Sequence, residues 1–400
     1  MMQKLLIHNG KVITPFRIIP RGAVEVTGGK ITAIYEGEAK VNNAIAIDAK
    51  GRYISPGFID IHVHGGGGHD FMDGDAEGFL KIAELHARYG TTAMVPTTLT
   101  GSKDHLISIL KVYEQARKIN KNGAEFLGLH LEGPYFSMNQ RGAQDPKYIR
   151  DPDPAEYREI LQKSGQIVRW SAAPELKGAM EFGRCLRENN VLASIAHTDA
   201  IYEEVVEAVE NGYSLSTHLY SGMSGVTRKN AFRYAGVIES SLLMDELDVE
   251  IIADGIHLPA PLLKLIYKVK GPHKTALITD AMRAAGSPPG ESILGHKQHG
   301  LKVIVEDGVA KLPDRSAFAG SVATADRLVR NMIEIADVPL PDAILMMTNT
   351  PARIMGIDQK KGSLTIGKDA DIVIFDQNIE IQETIIRGKR VYHRTSDNKI

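Results

Sequence analysis

A chain of 400 residues with 43% hydrophobic and 24% charged side chains has an ordinary globular composition, long enough for one barrel of about 250 residues plus a smaller part. A formal charge of −2, with no run of Lys and Arg, excludes the basic excess that nucleic-acid binding demands, while a compact anionic substrate stays open. No window approaches the ~20 apolar residues of a membrane span, and Met1 to Gly10 lacks the apolar stretch of an export signal. The single cysteine, Cys185, cannot form an internal disulfide, so a cytoplasmic setting is expected, with the thiol a packed helix residue.

In chain order, residues 3–50 hold short alternating segments such as Lys4 to His8 and Ala23 to Thr27, with hairpin signals at Asn9-Gly10 and Gly28-Gly29. Asp371 to Phe375 and Thr384 to Ile386, followed by a turn at Arg387-Gly388, read the same way at the other end. Between them, eight apolar runs alternate with helix-length segments: Phe58 to Val63, Ala93 to Thr97, Phe126 to Leu131, Ile167 to Ala172, Val191 to Ile195, Tyr213 to Thr217, Val249 to Ile252 and Thr275 to Thr279. Eight is the number that closes a parallel barrel, and no Gly-x-Gly-x-x-Gly element follows the first run. The expected fold is α/β, a (β/α)8 TIM-type barrel over residues 56–350, with a small β-sandwich built from both termini, 1–55 and 351–400.

The first connecting helix shows Phe79, Ile82, Ala83 and Leu85 at helical spacing and ends near Gly90, which places His86 on its surface. His8, His105, His273, His296, His299 and His393 lie outside strand ends and are assigned no chemistry.

Active sites of such barrels are assembled at the C-terminal ends of the strands, so polar residues there are informative. The first strand ends in Asp60-Ile61-His62-Val63-His64, where a two-residue period turns His62 and His64 to the same inward face. Two imidazoles aimed at one point suit a divalent ion; the competing reading is a hydrogen-bonded core pair. His130 and Glu132 share a face at the end of the third strand, and a buried Glu132 needs a cation. His197 follows the fifth strand and His218 the sixth. Together these are donors enough for two ions, or for one ion with a catalytic carboxylate.

A bound divalent ion lowers the pKa of water toward ~7. Asp280, after the eighth strand, is the candidate to carry that water's proton to a leaving amine, unless it merely caps a helix. His257, in Asp254-Gly255-Ile256-His257, is placed to polarise a carbonyl oxygen; its alternative is a satisfied loop histidine.

With Pro56-Gly57-Phe58-Ile59-Asp60, His62, His64, His130-Leu131-Glu132-Gly133-Pro134, Ala196-His197-Thr198, Thr217-His218-Leu219-Tyr220, Ala253-Asp254-Gly255-Ile256-His257, Thr279-Asp280-Ala281 and Gly320-Ser321, the chain resembles the amidohydrolase superfamily. Within it, the match is to the family of N-acetylglucosamine-6-phosphate deacetylases, nearly end to end. Asn349-Thr350-Pro351-Ala352 and the stretch from Gly362 to Asp371 resemble the superfamily's return into its sandwich. Many relatives bridge two metals with a carbamylated lysine after strand four, but Ser171-Ala172-Ala173-Pro174-Glu175 has none, and Glu132 takes that place.

The resemblance implies that Glu132, His197 and His218 hold a principal metal and His62 and His64 a second. One or two divalent ions per subunit follow, with zinc expected ahead of iron, manganese or cobalt. It also implies sugar and phosphate contacts from Ala143 and Gln144, from Ser221 and Gly222, from His257, and from Arg228 presented across a homodimer interface. Several family members carry His where this chain has Gln144, and Asn-Ala in place of Ser221-Gly222, which leaves sugar preference open.

The implied activity is deacetylation of N-acetylglucosamine 6-phosphate, a small-molecule phosphorylated amino sugar. The rivals are the galacto epimer, cyclic-amide hydrolysis, and a sugar-phosphate-binding barrel without catalysis.

Overall fold

The computed structural model describes residues 4–395. Both ends of the chain meet in one eight-stranded sheet. From one edge its strands run Lys389–His393, Ile381–Ile386, Ile372–Phe375, Tyr53–Pro56, Lys4–Ile13, Ile18–Thr27 and Lys30–Glu36, and Ala44–Asp48 adds to Lys4–Ile13 in parallel. The seam between the termini is the antiparallel pairing of Ile372–Phe375 with Tyr53–Pro56.

Alternation explains how this sandwich attaches to the rest of the molecule. Ile372 and Ile374 pack with Leu5, Ile7, Val24 and Val26 in the sheet's own core, while Val373 and Phe375 face the other way into the larger core. Phe375 stacks on Tyr53 with ring centroids 5.5 Å apart and leans on Phe58, the first barrel residue, at 6.3 Å.

Gly28-Gly29 and Arg387-Gly388 are hairpin turns as expected. Asn9-Gly10 is not. The strand Lys4–Ile13 runs through it with a bulge, Asn9 taking φ 57°. A Cβ on Gly10 would come within 2.6 Å of Ile54 Cδ1, so this glycine serves close packing rather than reversal.

The barrel strands are Phe58–Val63, Thr91–Pro96, a third in two pieces (Glu125–Phe126 and Leu129–Glu132), Ile167–Ala172, Leu192–Ile195, Tyr213–Ser216, Asp248–Ile251 and Thr275–Leu277, each parallel to the next. Strand two joins strand three through a parallel Thr97–His130 bridge. Strand eight closes on strand one through Asp280 N–H to His62 O at 2.9 Å and His64 N–H to Ala281 O at 2.9 Å. The fold is thus a (β/α)8 barrel with a sandwich from both termini.

After strand eight the chain makes an antiparallel sheet, Gly290–Leu294, Leu301–Glu306 and Val309–Lys311. Leu294, Val303 and Val305 pack on Met72, Leu99 and Met282, which sets this sheet beside the barrel mouth. The helix Ala76–Arg88 is capped by Asp75, whose carboxylate accepts Glu77 and Gly78 N–H at 3.1 Å each. His86 corrects the expectation of a surface residue: it is fully buried, with Nε2 2.9 Å from Gly65 O. Among the described residues no helix is long and apolar enough to cross a membrane.

Candidate metal centre and active site

His62 projects from strand one, His64 follows its last residue and Glu132 ends strand three, while His197, His218 and Asp280 stand just beyond strands five, six and eight. The last three adopt left-handed backbone, with φ 48°, 33° and 48°. That conformation is unfavourable for residues with a Cβ and persists where surrounding structure imposes it, most often at functional sites. Here it turns each side chain sharply from the strand end into the mouth.

Glu132 is the hub. Its Oε1 lies 3.0 Å from His218 Nε2, 3.4 Å from His197 Nε2 and 3.5 Å from His62 Nε2, and its Oε2 lies 3.4 Å from His64 Nε2. Asp280 Oδ1 adds contacts of 3.1 Å to His64 Nε2 and 3.5 Å to His62 Nε2. Two donor sets result, His62–His64–Glu132 and Glu132–His197–His218, sharing the one carboxylate.

The far side of two rings fixes what the near side offers. His64 Nδ1 faces Thr97 O at 3.2 Å and His197 Nδ1 faces Gln140 O at 2.8 Å, so in the neutral, metal-binding form of each ring Nδ1 keeps the proton and Nε2 presents a lone pair. Lone pairs of imidazole and carboxylate crowd together, and His62 Nε2 is only 3.2 Å from His64 Nε2. Bonds of about 2.0–2.1 Å to a tetrahedral ion would separate neighbouring donors by about 3.4 Å, close to the spacing here. The residues therefore fit a divalent cation on each side of Glu132.

Electrostatics point the same way. Burial works to raise Glu132, but His62, His197, His218 and His64 hold its carboxyl well below the usual range. Asp280 is likewise lowered, with burial outweighed by His62, His64 and His218. Burial opposes protonation of His64, yet Asp280 and Glu132 raise it well above an ordinary histidine. An acid pair stabilised by positive charge is the setting a metal ion would occupy.

A third acidic group, Glu125, Asp369 and Asp371, already has cations of its own: Lys361 Nζ sits 2.7, 3.1 and 2.6 Å from them, Lys30 pairs with Asp369 and Arg387 with Glu125. His130 faces inward as expected but is not part of the cluster, its Nε2 being bound to Ser171 Oγ at 2.6 Å.

The ligand cluster opens into a cavity of about 260 Å³ that is also lined by Asp280 and His257. His257 Nδ1 is 2.7 Å from Asp254 Oδ2, and the Asp254 carboxylate also accepts the backbone N–H of Ile256 and His257. Burial works to raise Asp254, but His257 and these N–H groups lower it.

Ala143, Gln144, Ser221 and Gly222 line the same cavity. Gly222 has φ 58°, and a Cβ there would stand 2.8 Å from both Gln140 O and His197 Nδ1, so glycine lets this loop lie against the histidine. Arg228 is not among the lining residues. It is exposed on a hairpin of Thr227–Lys229 and Phe232–Tyr234.

Sequence reasoning missed Tyr220, Leu99, Leu294 and Phe318 as cavity walls, and Asp254 as the partner of His257. The three-residue spacing in Asp254-Gly255-Ile256-His257 was an available signal for the last. Phe318, whose ring lies 4.5 Å from that of His257, follows the unforeseen sheet and carried none.

A closed parallel barrel with His and carboxylate donors gathered at its C-terminal mouth defines a metal-dependent hydrolase. The chain belongs to the amidohydrolase family, whose model matches residues 53–391. It is 35% identical over 386 residues to an N-acetylglucosamine-6-phosphate deacetylase of Lysinibacillus sphaericus, covering 96% of this chain and 97% of the relative. It is also 35% identical over 338 residues to an N-acetylgalactosamine-6-phosphate deacetylase of Escherichia coli O157:H7, covering 84% and 87%. The crystal structure of N-acetylglucosamine-6-phosphate deacetylase from Pasteurella multocida superposes with a TM-score of 0.91 at 28% identity, covering 98% of this chain and all of that one.

Proposed function

We propose that this chain hydrolyses N-acetylglucosamine 6-phosphate to glucosamine 6-phosphate and acetate. The observation that carries the reading is the Glu132 hub: four imidazole Nε2 atoms lie 3.0–3.5 Å from one carboxylate, beside a cavity that also holds Asp280 and His257. Full-length similarity to deacetylases of this substrate supports it.

Glu132, His197 and His218 would hold one ion and His62, His64 and Glu132 a second, zinc being expected ahead of iron, manganese or cobalt. Such an ion lowers the pKa of water and polarises a carbonyl. The chain's own groups supply the rest. Asp280 accepts the proton of the attacking water and passes it to the sugar nitrogen as the C–N bond breaks, leaving acetate and a free amine. His257 steadies the carbonyl oxygen as charge builds there, and Asp254 on Nδ1 orients the ring.

Ala143, Gln144, Ser221, Gly222 and His257 border the sugar. Arg228 would meet the phosphate of the neighbouring subunit in a homodimer. The exposed hairpin that carries it also presents Phe232, 72% exposed, and is preceded by Val226, 56% exposed, which supports a protein partner at that surface. The lone thiol, half-buried in the helix Ala179–Glu188, supports a cytoplasmic setting.

A second reading, action on N-acetylgalactosamine 6-phosphate, is favoured by the equal identity to the Escherichia coli relative. Acetate release measured on both epimers with the metal-loaded protein separates the two. No acetate from either would sink both.

A further inference from the structure

Directly beneath the ligand cluster lies a buried charge pair that the proposed chemistry does not use. Arg169 on strand four and Glu250 on strand seven are both fully buried inside the barrel. All five N–H bonds of Arg169 have acceptors. Nη1 and Nη2 both donate to the Glu250 carboxylate, the latter at 2.8 Å. The remaining three reach Ile61 O at 3.2 Å, Thr217 Oγ1 at 2.9 Å and Ser194 Oγ at 3.1 Å. The guanidinium thereby fixes the carboxylate against strands one, five and six.

Glu250 Oε2 in turn is the carboxylate oxygen facing His62 Nδ1, at 3.7 Å, a little beyond hydrogen-bond distance, and that nitrogen has no hydrogen-bond partner among the described residues. His64 and His197 rest their Nδ1 atoms on backbone carbonyls, whereas His62 faces a carboxylate. A carboxylate behind a histidine fixes the ring's tautomer and strengthens the opposite nitrogen as a ligand. Stability alone is a weak reason for the arrangement, since buried ion pairs are often replaced by apolar residues without loss.

We propose that Glu250, held by Arg169, is a positioning residue that keeps the proton of His62 on Nδ1 and so selectively supports the ion bound by His62 and His64. This rests on the two-ion reading above. The ion on His197 and His218 gains less from Glu250, whose carboxylate lies within 4 Å of the ring of His62 and reaches His218 only through longer-range charge.

The test is cobalt(II) titration of the metal-free, full-length chain, read by visible absorbance and by metal content after gel filtration. The proteins are wild type, Glu250→Gln, and the double variant Arg169→Met/Glu250→Leu, which removes both charges together and leaves no unpaired charge. Two binding steps are expected in wild type, and in both variants one step weakens about 10- to 100-fold while the other stays within about threefold. If Glu250→Gln does not fold, the double variant decides. Both steps at wild-type affinity, or both weakened equally, would overturn the inference, as would loss of the native melting transition in both variants. A wild type that takes up a single ion defeats the two-ion reading itself, and the inference falls with it.

Discussion

Gln144 donates its side-chain amide to Glu132 Oε2 at 2.7 Å and receives the Thr100 N–H on its own carbonyl oxygen at 2.9 Å. Both ends of the side chain are engaged, so Gln144 is bound to the hub carboxylate as well as bordering the sugar cavity. Gln144→Ala should therefore weaken metal retention about 10- to 100-fold, the usual cost of losing a group that orients a ligand. Equilibrium dialysis against a graded chelator measures this. A variant that keeps wild-type metal affinity and shows only a raised KM would mean that Gln144 serves the sugar alone.

Asp280 lies 3.1 Å from His64 Nε2 and in the cavity wall, where a proton carrier must be. Asp280→Asn retains the shape and removes the basic oxygen. Acetate release should fall by about 10²–10⁴, the typical worth of a positioned acid–base group, while sugar-phosphate binding measured by calorimetry survives. Turnover within a few-fold of wild type would refute the assigned role.

Lys361 pairs with Glu125 at the start of barrel strand three and with Asp369 and Asp371 at the entry to the sandwich, so it ties the barrel to the sandwich. Burial works to lower its pKa, but Asp371 and Glu125 raise it above the usual lysine value. Lys361→Met strands buried negative charge and should cost about 3–5 kcal/mol, read by urea denaturation at neutral pH. Lys30, 2.6 Å from Asp369, offsets part of that loss. An unchanged denaturation midpoint would show that the cluster contributes nothing net.

His86 supplies a pH dependence. Burial lowers its pKa from 6.5 to about 4, with its hydrogen bond to Gly65 O opposing. A neutral histidine is thus favoured in the folded state. Its contribution is complete above about pH 6.5 and is lost as pH falls toward 4, a difference of about 3 kcal/mol over the whole window. His86→Gln, which can still donate to Gly65 O but does not titrate, should lose about 2 kcal/mol less than wild type between pH 7.5 and 4.5. Parallel stability profiles for the two proteins would contradict this.

The eight barrel strands and the polar residues at their ends were legible because a strand's period of two and the C-terminal location of barrel sites are local rules. They identified His62, His64, Glu132, His197, His218, His257 and Asp280, which the fold gathers around one cavity. Asn9-Gly10 shows the limit of such rules, since the same dipeptide that marks a turn also permits a bulge beneath Ile54.

What local pattern could not hold was decided by the stagger of strands and by which helix face turns inward. Arg169 sits inside a run that reads as apolar, and its partner Glu250 is 81 residues away, so their meeting depends on barrel closure. His86 is buried because its helix lies over Gly65 and Gly66, and Phe318 reaches His257 only because an inserted sheet folds back over the mouth. The sequence determined the kinds of donor and the strand ends that bear them. Only the tertiary structure decided which donors share Glu132, because distances between strands are set by packing across the closed barrel rather than along the chain.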